Sequence, residues 1–152
     1  MLEGSRVVDR LEESRRDGAS RDEILRSAVR EIEEAEDHFD WVGIYLLEDD
    51  DTLVLHNYIG RPTDHDRIPV GEGVCGEAVA EGRDINVPDV EERENYLACS
   101  VETRSELVVL IRDGEDGQIH GQIDLDSDEP AAFDERDRRE LRAVADWLAG
   151  LF

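Results

Sequence analysis

A cysteine and a glutamate frame the stretch of this chain best suited to chemistry. Cys99 lies in the polar segment Ala98-Cys99-Ser100-Val101-Glu102-Thr103-Arg104-Ser105-Glu106, directly upstream of Leu107-Val108-Val109-Leu110-Ile111, the most apolar run of the sequence. That run is short and built from Leu, Val and Ile, so it reads as a buried central strand with Glu106 at its mouth. A thiol and a carboxylate at the edge of a hydrophobic core are groups whose reactivity a fold can tune. The same residues are also compatible with a free cysteine and an ordinary surface acid, so the rest of the chain has to decide.

Other chemistry-bearing residues fall into two groups. Asp124 and Asp126 sit in Gln118-Ile119-His120-Gly121-Gln122-Ile123-Asp124-Leu125-Asp126-Ser127. Strand alternation there sends Ile119, Gly121, Ile123 and Leu125 one way and His120, Gln122, Asp124 and Asp126 the other. If this strand pairs with the one that Glu106 opens, three carboxyl groups share a face. The other cysteine, Cys75, follows Gly71-Glu72-Gly73-Val74 and precedes a short helix beginning near Glu77, where exposed amide groups would favour a thiolate. This glycine cluster lacks the lysine and spacing of a phosphate loop. A small residue packed in a tight turn is the other reading of Cys75.

Elements must position these groups. Residues 5 to 17 form a weak helix with Val7, Val8 and Leu11 on one side, so residues 1–19 stand as an N-terminal helix ahead of a domain spanning 20–152. Ser20 and Glu23 have capping-box spacing before a helix striped by Ile24, Leu25, Ala28, Val29 and Ile32. Both helices are structural or form a homodimer seam. Trp41 to Leu47 and Thr52 to Ile59 are strands at hairpin distance, with Trp41, Gly43 and Tyr45 on one face and Val42, Ile44 and Leu46 on the other. Two aromatics flanking a glycine could wall a small pocket with room where the side chain is missing, or could be core under a helix. Residues 60 to 73 read as a polar loop and Asp84 to Val87 as a short strand. Asp134 caps a last helix striped by Leu141, Val144, Ala145, Leu148 and Leu151. The pattern implies an α+β domain in which helices pack on an antiparallel sheet.

Composition sets the partners. The 152 residues carry 41 acids against 17 basic residues, all arginine, for a net charge of −24. Such a surface repels nucleic acid and anionic membranes, so neither is expected as a partner. It suits high salt, where self-repulsion is screened, as in a halophilic microbe. No apolar run approaches the length of a membrane span or a signal core, so a cytoplasmic protein is expected, and two cysteines there read as free or redox-active thiols. No Cys/His pair has zinc-site spacing, and the calcium-loop spacing at Asp124, Asp126 and Asp128 lacks the glycine it requires, so no metal is expected.

Gly71-Glu72-Gly73-Val74-Cys75-Gly76, Ala98-Cys99, Ser105-Glu106-Leu107-Val108, Asp124-Leu125-Asp126-Ser127 and Phe133-Asp134-Glu135-Arg136-Asp137, in that order, resemble the GAF-domain free methionine-(R)-sulfoxide reductases. The likeness covers residues 20 to 152, and its most specific parts are the step from Cys99 to Glu106 and the Asp-x-Asp pair. It implies a GAF-like sheet of about six strands and an enzyme that reduces free methionine-(R)-sulfoxide. Cys99 would be the nucleophile passing through a sulfenic acid, with Cys75 and Glu106 as its catalytic partners. Trp41, Tyr45, Glu106, Asp124 and Asp126 would bind substrate. No bound cofactor is implied, and an external thioredoxin-like thiol would serve as reductant. Family members usually carry one more cysteine, commonly the resolving one; His65 stands at that position, and Ser100 replaces the acid that follows the nucleophile. Cys75 or an external thiol would then resolve Cys99. The alternative is a GAF-type sensor that binds a small molecule in the same pocket without turning it over.

Overall fold

The computed structural model describes residues 1–93 and 102–152. Its elements are α1 (Gly4–Arg16), α2 (Arg21–Glu33), β1 (Trp41–Glu48), β2 (Thr52–Ile59), β3 (Arg67–Pro69), α3 (Gly73–Glu81), β4 (Ile85–Val87), β5 (Ser105–Arg112), β6 (Ile119–Ser127) and α4 (Glu135–Ala149). The strands form one six-stranded antiparallel sheet in the order β3-β2-β1-β6-β5-β4. The α+β, GAF-like architecture expected from the sequence is the one observed.

The local signals account for most boundaries. Ser20 and Glu23 close the capping box that starts α2, and Asp134 and Asp137 close another at the start of α4, each satisfying amide groups the first turn leaves open. Between β1 and β2 the chain reverses through Asp49 and Asp50, both at positive φ (54° and 61°), with Asp51 N–H donating to Glu48 O. Aspartate enters this left-handed region more readily than most side chains, and two such residues give a turn whose twist suits a hairpin.

Alternation along the strands divides the core in two. On one face of the sheet, α1, α2 and α4 bury Val7, Leu11, Ile24, Leu25, Val29, Ile32, Leu141, Val144 and Leu148 against Val42, Ile44, Leu107, Val109, Ile111, Ile123 and Leu125. The stripes of α1 and α2, which could have been a dimer seam, are thus spent inside the chain. On the other face α3 packs with Trp41, Tyr45, Leu53, Ile68, Ile85, Val87, Val108 and Leu110. Because helices cover both faces, β5 is apolar on both sides and reads as a continuous oily run.

Several sequence expectations need correction. β5 is not central: β1 and β6 hold the middle, and β5 lies second from the edge beside β4. The stretch from 60 to 73 contains strand β3, whose three residues offer a single buried side chain, Ile68, and so carry no periodic signal. Helix α3 starts at Gly73, so Cys75 lies within its first turn rather than ahead of it. A register shift between Ile111 and Arg112 of β5 turns Ile119 toward the α3 side, away from the face it would share with Ile123. Asp84 is outside the strand; its carboxylate accepts from Leu110 N–H at 2.9 Å and pairs with Arg138 and Arg142.

Gly43 does not leave an open pocket. The indole of Trp41 folds back over it, so a Cβ there would lie 2.3 Å from Trp41 Cη2 and 2.5 Å from Cζ3. A Cβ at Gly60 would stand 2.6 Å from Trp41 Cδ1. The two glycines are a seat for one ring, which is rigid and cannot yield by a torsion at its far end. Gly43→Ala should therefore destabilise the domain by about 1–3 kcal/mol and shift tryptophan emission, both measured by denaturant unfolding followed by fluorescence. An unchanged midpoint and spectrum would show that the ring has room elsewhere.

Candidate active site

Three strands lay their side chains out as a grid on the α3 face. Trp41, Asp126 and Glu106 stand abreast on β1, β6 and β5; Gly43, Asp124 and Val108 form the next row; Tyr45, Gln122 and Leu110 form the third. Each strand repeats every second residue, so the period of two brings the acids together once the register is set. Glu106 is opposite Asp126 across the ladder, with Asp124 one row along. All three are buried, with exposures of 2%, 0% and 1% for Glu106, Asp124 and Asp126.

Helix α3 lies over this grid and delivers Cys75, which is 5% exposed. Its thiol donates to Glu106 Oε2 with Sγ 3.7 Å away. Gln122 Nε2 donates to the carbonyl of Cys75 at 3.0 Å and ties the first turn of α3 to the sheet. Gly76 lets the chain ahead of α3 fold back on its first turn: a Cβ there would meet Pro69 O at 2.6 Å and Gly71 N at 2.9 Å. Tyr45 donates its hydroxyl to His65 O at 2.9 Å, fixing the ring under the loop before β3. Trp41 stacks on Tyr58 with ring centroids 5.3 Å apart and lies 6.3 Å from Tyr45.

Three acids on one buried face oppose each other. Two unit charges about 5 Å apart at an effective dielectric constant near 20 repel by roughly 3 kcal/mol, and loss of water penalises each charge further. No arginine pairs with Glu106 or Asp124 among the described residues, and no N–H or hydroxyl there donates to Glu106 Oε1 or to either oxygen of Asp124. Burial, followed by the charges of Asp124 and Asp126, pushes the Glu106 carboxyl well above the usual glutamate range. Burial also raises Asp124, partly offset by its interactions with Glu106 and Cys75. Of the three carboxyls Glu106 is therefore the one most disposed to keep a proton, and it can share it with its neighbours.

Six of the seven residues singled out in the sequence thus converge: Trp41, Tyr45, Cys75, Glu106, Asp124 and Asp126. The seventh, Cys99, lies outside the described residues. Both flanks of its segment are tied to the rim of the site. Val90 is buried in the α3-side cluster and Arg93 pairs with Glu77 of α3, while Glu102 pairs with Arg61 at 2.8 Å. Arg61 also pairs with Asp128, just beyond the acids. Gln122 has no role in the sequence reading, although it shares the i, i+2 spacing of Asp124 and Asp126. His65 enters through its carbonyl oxygen, a contact to which its side chain gives no clue.

A family model described as GAF domain matches residues 18–150. The free methionine-R-sulfoxide reductase of Escherichia coli K12 is 41% identical over 106 residues, which are 68% of this chain and 61% of that protein. The chain spans somewhat less than two thirds of the curated relatives it matches. Among solved structures, a type II free methionine-R-sulfoxide reductase of Thermoplasma acidophilum is 39% identical, with a TM-score of 0.79 over 87% of this chain and 94% of that one. The Neisseria meningitidis free methionine-R-sulfoxide reductase in complex with its substrate is 36% identical, with a TM-score of 0.87 over 98% and 87%. By fold, by the ordered motifs that build one buried acid face, and by these likenesses, the chain belongs to the GAF-domain family of free methionine-(R)-sulfoxide reductases.

Proposed function

We propose that this protein reduces free methionine-(R)-sulfoxide to methionine with Cys99 as nucleophile. The observation that carries this reading is the convergence of Glu106, Asp124, Asp126 and Cys75 on one buried patch beside Trp41 and Tyr45. A relative with the same fold binds the substrate named for that activity. In the reaction the Cys99 thiolate attacks the sulfoxide sulfur, and the departing oxygen needs a proton. Glu106, held protonated by burial and by its two aspartate neighbours, supplies it. Oxygen passes from the substrate to Cys99, leaving methionine and a cysteine sulfenic acid. Asp124 and Asp126 hold the substrate ammonium group, and Trp41 with Tyr45 enclose its methyl end.

Recycling follows from the second thiol. Cys75 attacks the sulfenic sulfur, water leaves, and a Cys75–Cys99 disulfide forms. An external thioredoxin-like dithiol then reduces that bond and is itself oxidised. This assigns to Cys75 the resolving role left vacant at His65. No helix among the described residues is long and apolar enough to cross a membrane. We place the protein in the cytoplasm, where such a dithiol is kept reduced, and read its lysine-free acidic surface as an adaptation to high salt.

The assay uses purified protein in high salt with dithiothreitol and each epimer of free methionine sulfoxide. The R epimer alone should be consumed. Cys99→Ser should abolish turnover, and Cys75→Ser should weaken it. Glu106→Gln should lower kcat by about 10²–10⁴-fold. Consumption of neither epimer, with a metabolite bound instead, would replace the reductase by a sensor.

The same carboxyl makes a prediction about stability. The folded chain retains on Glu106 a proton that the unfolded chain releases in the ordinary glutamate range. The stabilising contribution is fully present below that range and is lost as pH rises through the higher folded value. Glutamine is neutral throughout, so the Tm of Glu106→Gln should gain on wild type as pH rises from about 5 to 8. A Tm difference independent of pH would show that Glu106 titrates normally.

A further inference from the structure

The sequence contains no Cys/His pair with zinc-site spacing, yet the fold assembles three donors from three distant elements. Cys75 Sγ on α3, a Glu106 oxygen on β5 and an Asp124 oxygen on β6 all lie within 4.8 Å of one another, and all three residues are buried. We propose that the reduced protein binds a thiophilic divalent cation, of which zinc is the physiological example, through Cys75, Glu106 and Asp124.

The geometry fits that ion. Tetrahedral zinc, with bonds of about 2.3 Å to sulfur and about 2.0–2.2 Å to carboxylate oxygen, holds a sulfur and an oxygen ligand about 3.6 Å apart. Cys75 Sγ and Glu106 Oε2 are 3.7 Å apart. Little movement is needed to close sulfur and oxygen around a metal. Three protein ligands leave the fourth position for water, as in open zinc sites.

The second observation comes from Asp124. It is fully buried, and both its carboxylate oxygens lack an N–H or hydroxyl donor among the described residues. Such a group calls for a proton or a cation; its neighbours are the Glu106 carboxyl and the Cys75 thiol, whose protons a metal would replace, and no arginine pairs with it among the described residues. Gln122 steadies the thiol-bearing turn. Its Nε2 is engaged by the Cys75 carbonyl while its Oε1 is buried without a donor, so the amide holds the thiol-bearing turn in place without competing for the metal. A thiolate with two carboxylates selects zinc or cadmium over magnesium and calcium, which prefer oxygen alone. On binding, the sulfur–metal bond replaces the Cys75 S–H bond and the proton leaves to solvent. No oxidant or reductant is required.

Binding stands on this geometry alone. Its consequence rests on the proposed reductase activity: an ion on Cys75 and Glu106 occupies the resolving thiol and the proton donor together, so zinc should be a reversible inhibitor that competes with free methionine sulfoxide.

The test uses the full chain, reduced with a phosphine, stripped of metal and kept in excess Mg²⁺ so that surface carboxylates are already occupied. Zn²⁺ is titrated against a chromophoric chelator, and Cd²⁺ is added separately to follow thiolate-to-metal charge-transfer absorption. The expected result is one tight site per chain with proton release. Cys75→Ser and Asp124→Asn should each weaken it by at least about tenfold, and Cys75→Ser should lose the cadmium band. Circular dichroism establishes that these near-isosteric variants fold. Zinc bound equally by wild type and both variants, or lost only in Cys99→Ser, would overturn the assignment; so would absence of binding. Turnover by the metal-free protein reports the reductase reading separately, so either conclusion can fail alone. If both hold, added zinc stops turnover and a chelator restores it.

Discussion

Mutual repulsion of three carboxyl groups, placed on one face of a sheet and sealed from water, is the constraint that the rest of the structure answers. Glu106 and Asp126 face each other across a β-ladder, and Asp124 follows one row along. On an open sheet surface, water and salt would screen them. Here α3 covers them, and no arginine reaches Glu106 or Asp124 among the described residues. The remaining way to lower the energy is to keep a proton, and burial and charge direct it to Glu106. Such an arrangement has no advantage for stability alone.

The scaffold carries this burden by being well satisfied elsewhere. The opposite face of the sheet packs against α1, α2 and α4 in a fully apolar layer, and both long capped helices start with reciprocal capping boxes. The charged residues that do pair lie at the periphery: Arg138 and Arg142 with Asp84, and Arg61 with Glu102 and Asp128. The arginines of a chain with net charge −24 are spent on its rim. Leaving them out of the acid face is what lets burial and like charge keep the Glu106 carboxyl raised. The close seat of Trp41 over Gly43 and Gly60 and the hydrogen bond from Tyr45 to His65 O likewise hold the aromatic wall in place without any charge.

Much of this was legible in order along the chain. The capped starts of α2 and α4, the β1–β2 hairpin and the face assignment of Trp41, Gly43 and Tyr45 follow from local chemistry and periodicity, and the structure keeps them. So does the division of β6 into an apolar face at Ile123 and Leu125 and a polar one at Gln122, Asp124 and Asp126. Features lacking a local signal were lost. β3 is too short to show a period, the bulge beside Arg112 redirects Ile119, and the place of β5 in the sheet depends on β4, a strand of only three residues. The gap expected at Gly43 was filled by a neighbour on the same strand, because a missing side chain creates space that the nearest large ring can take.

The sequence by itself determined which side chains share a face wherever a strand runs without a bulge, since alternation is a property of each strand and needs no partner. It also determined the acidic surface, the two thiols and the candidate carboxyl groups. Only the tertiary structure decided that Glu106 stands opposite Asp126, that Cys75 on a separate helix comes down 3.7 Å from Glu106, and that no basic side chain joins Glu106 or Asp124 among the described residues. Register, helix docking and the exclusion of counter-charge are relations between distant segments. They arise from packing both faces of the sheet at once, a condition that no single stretch of residues encodes.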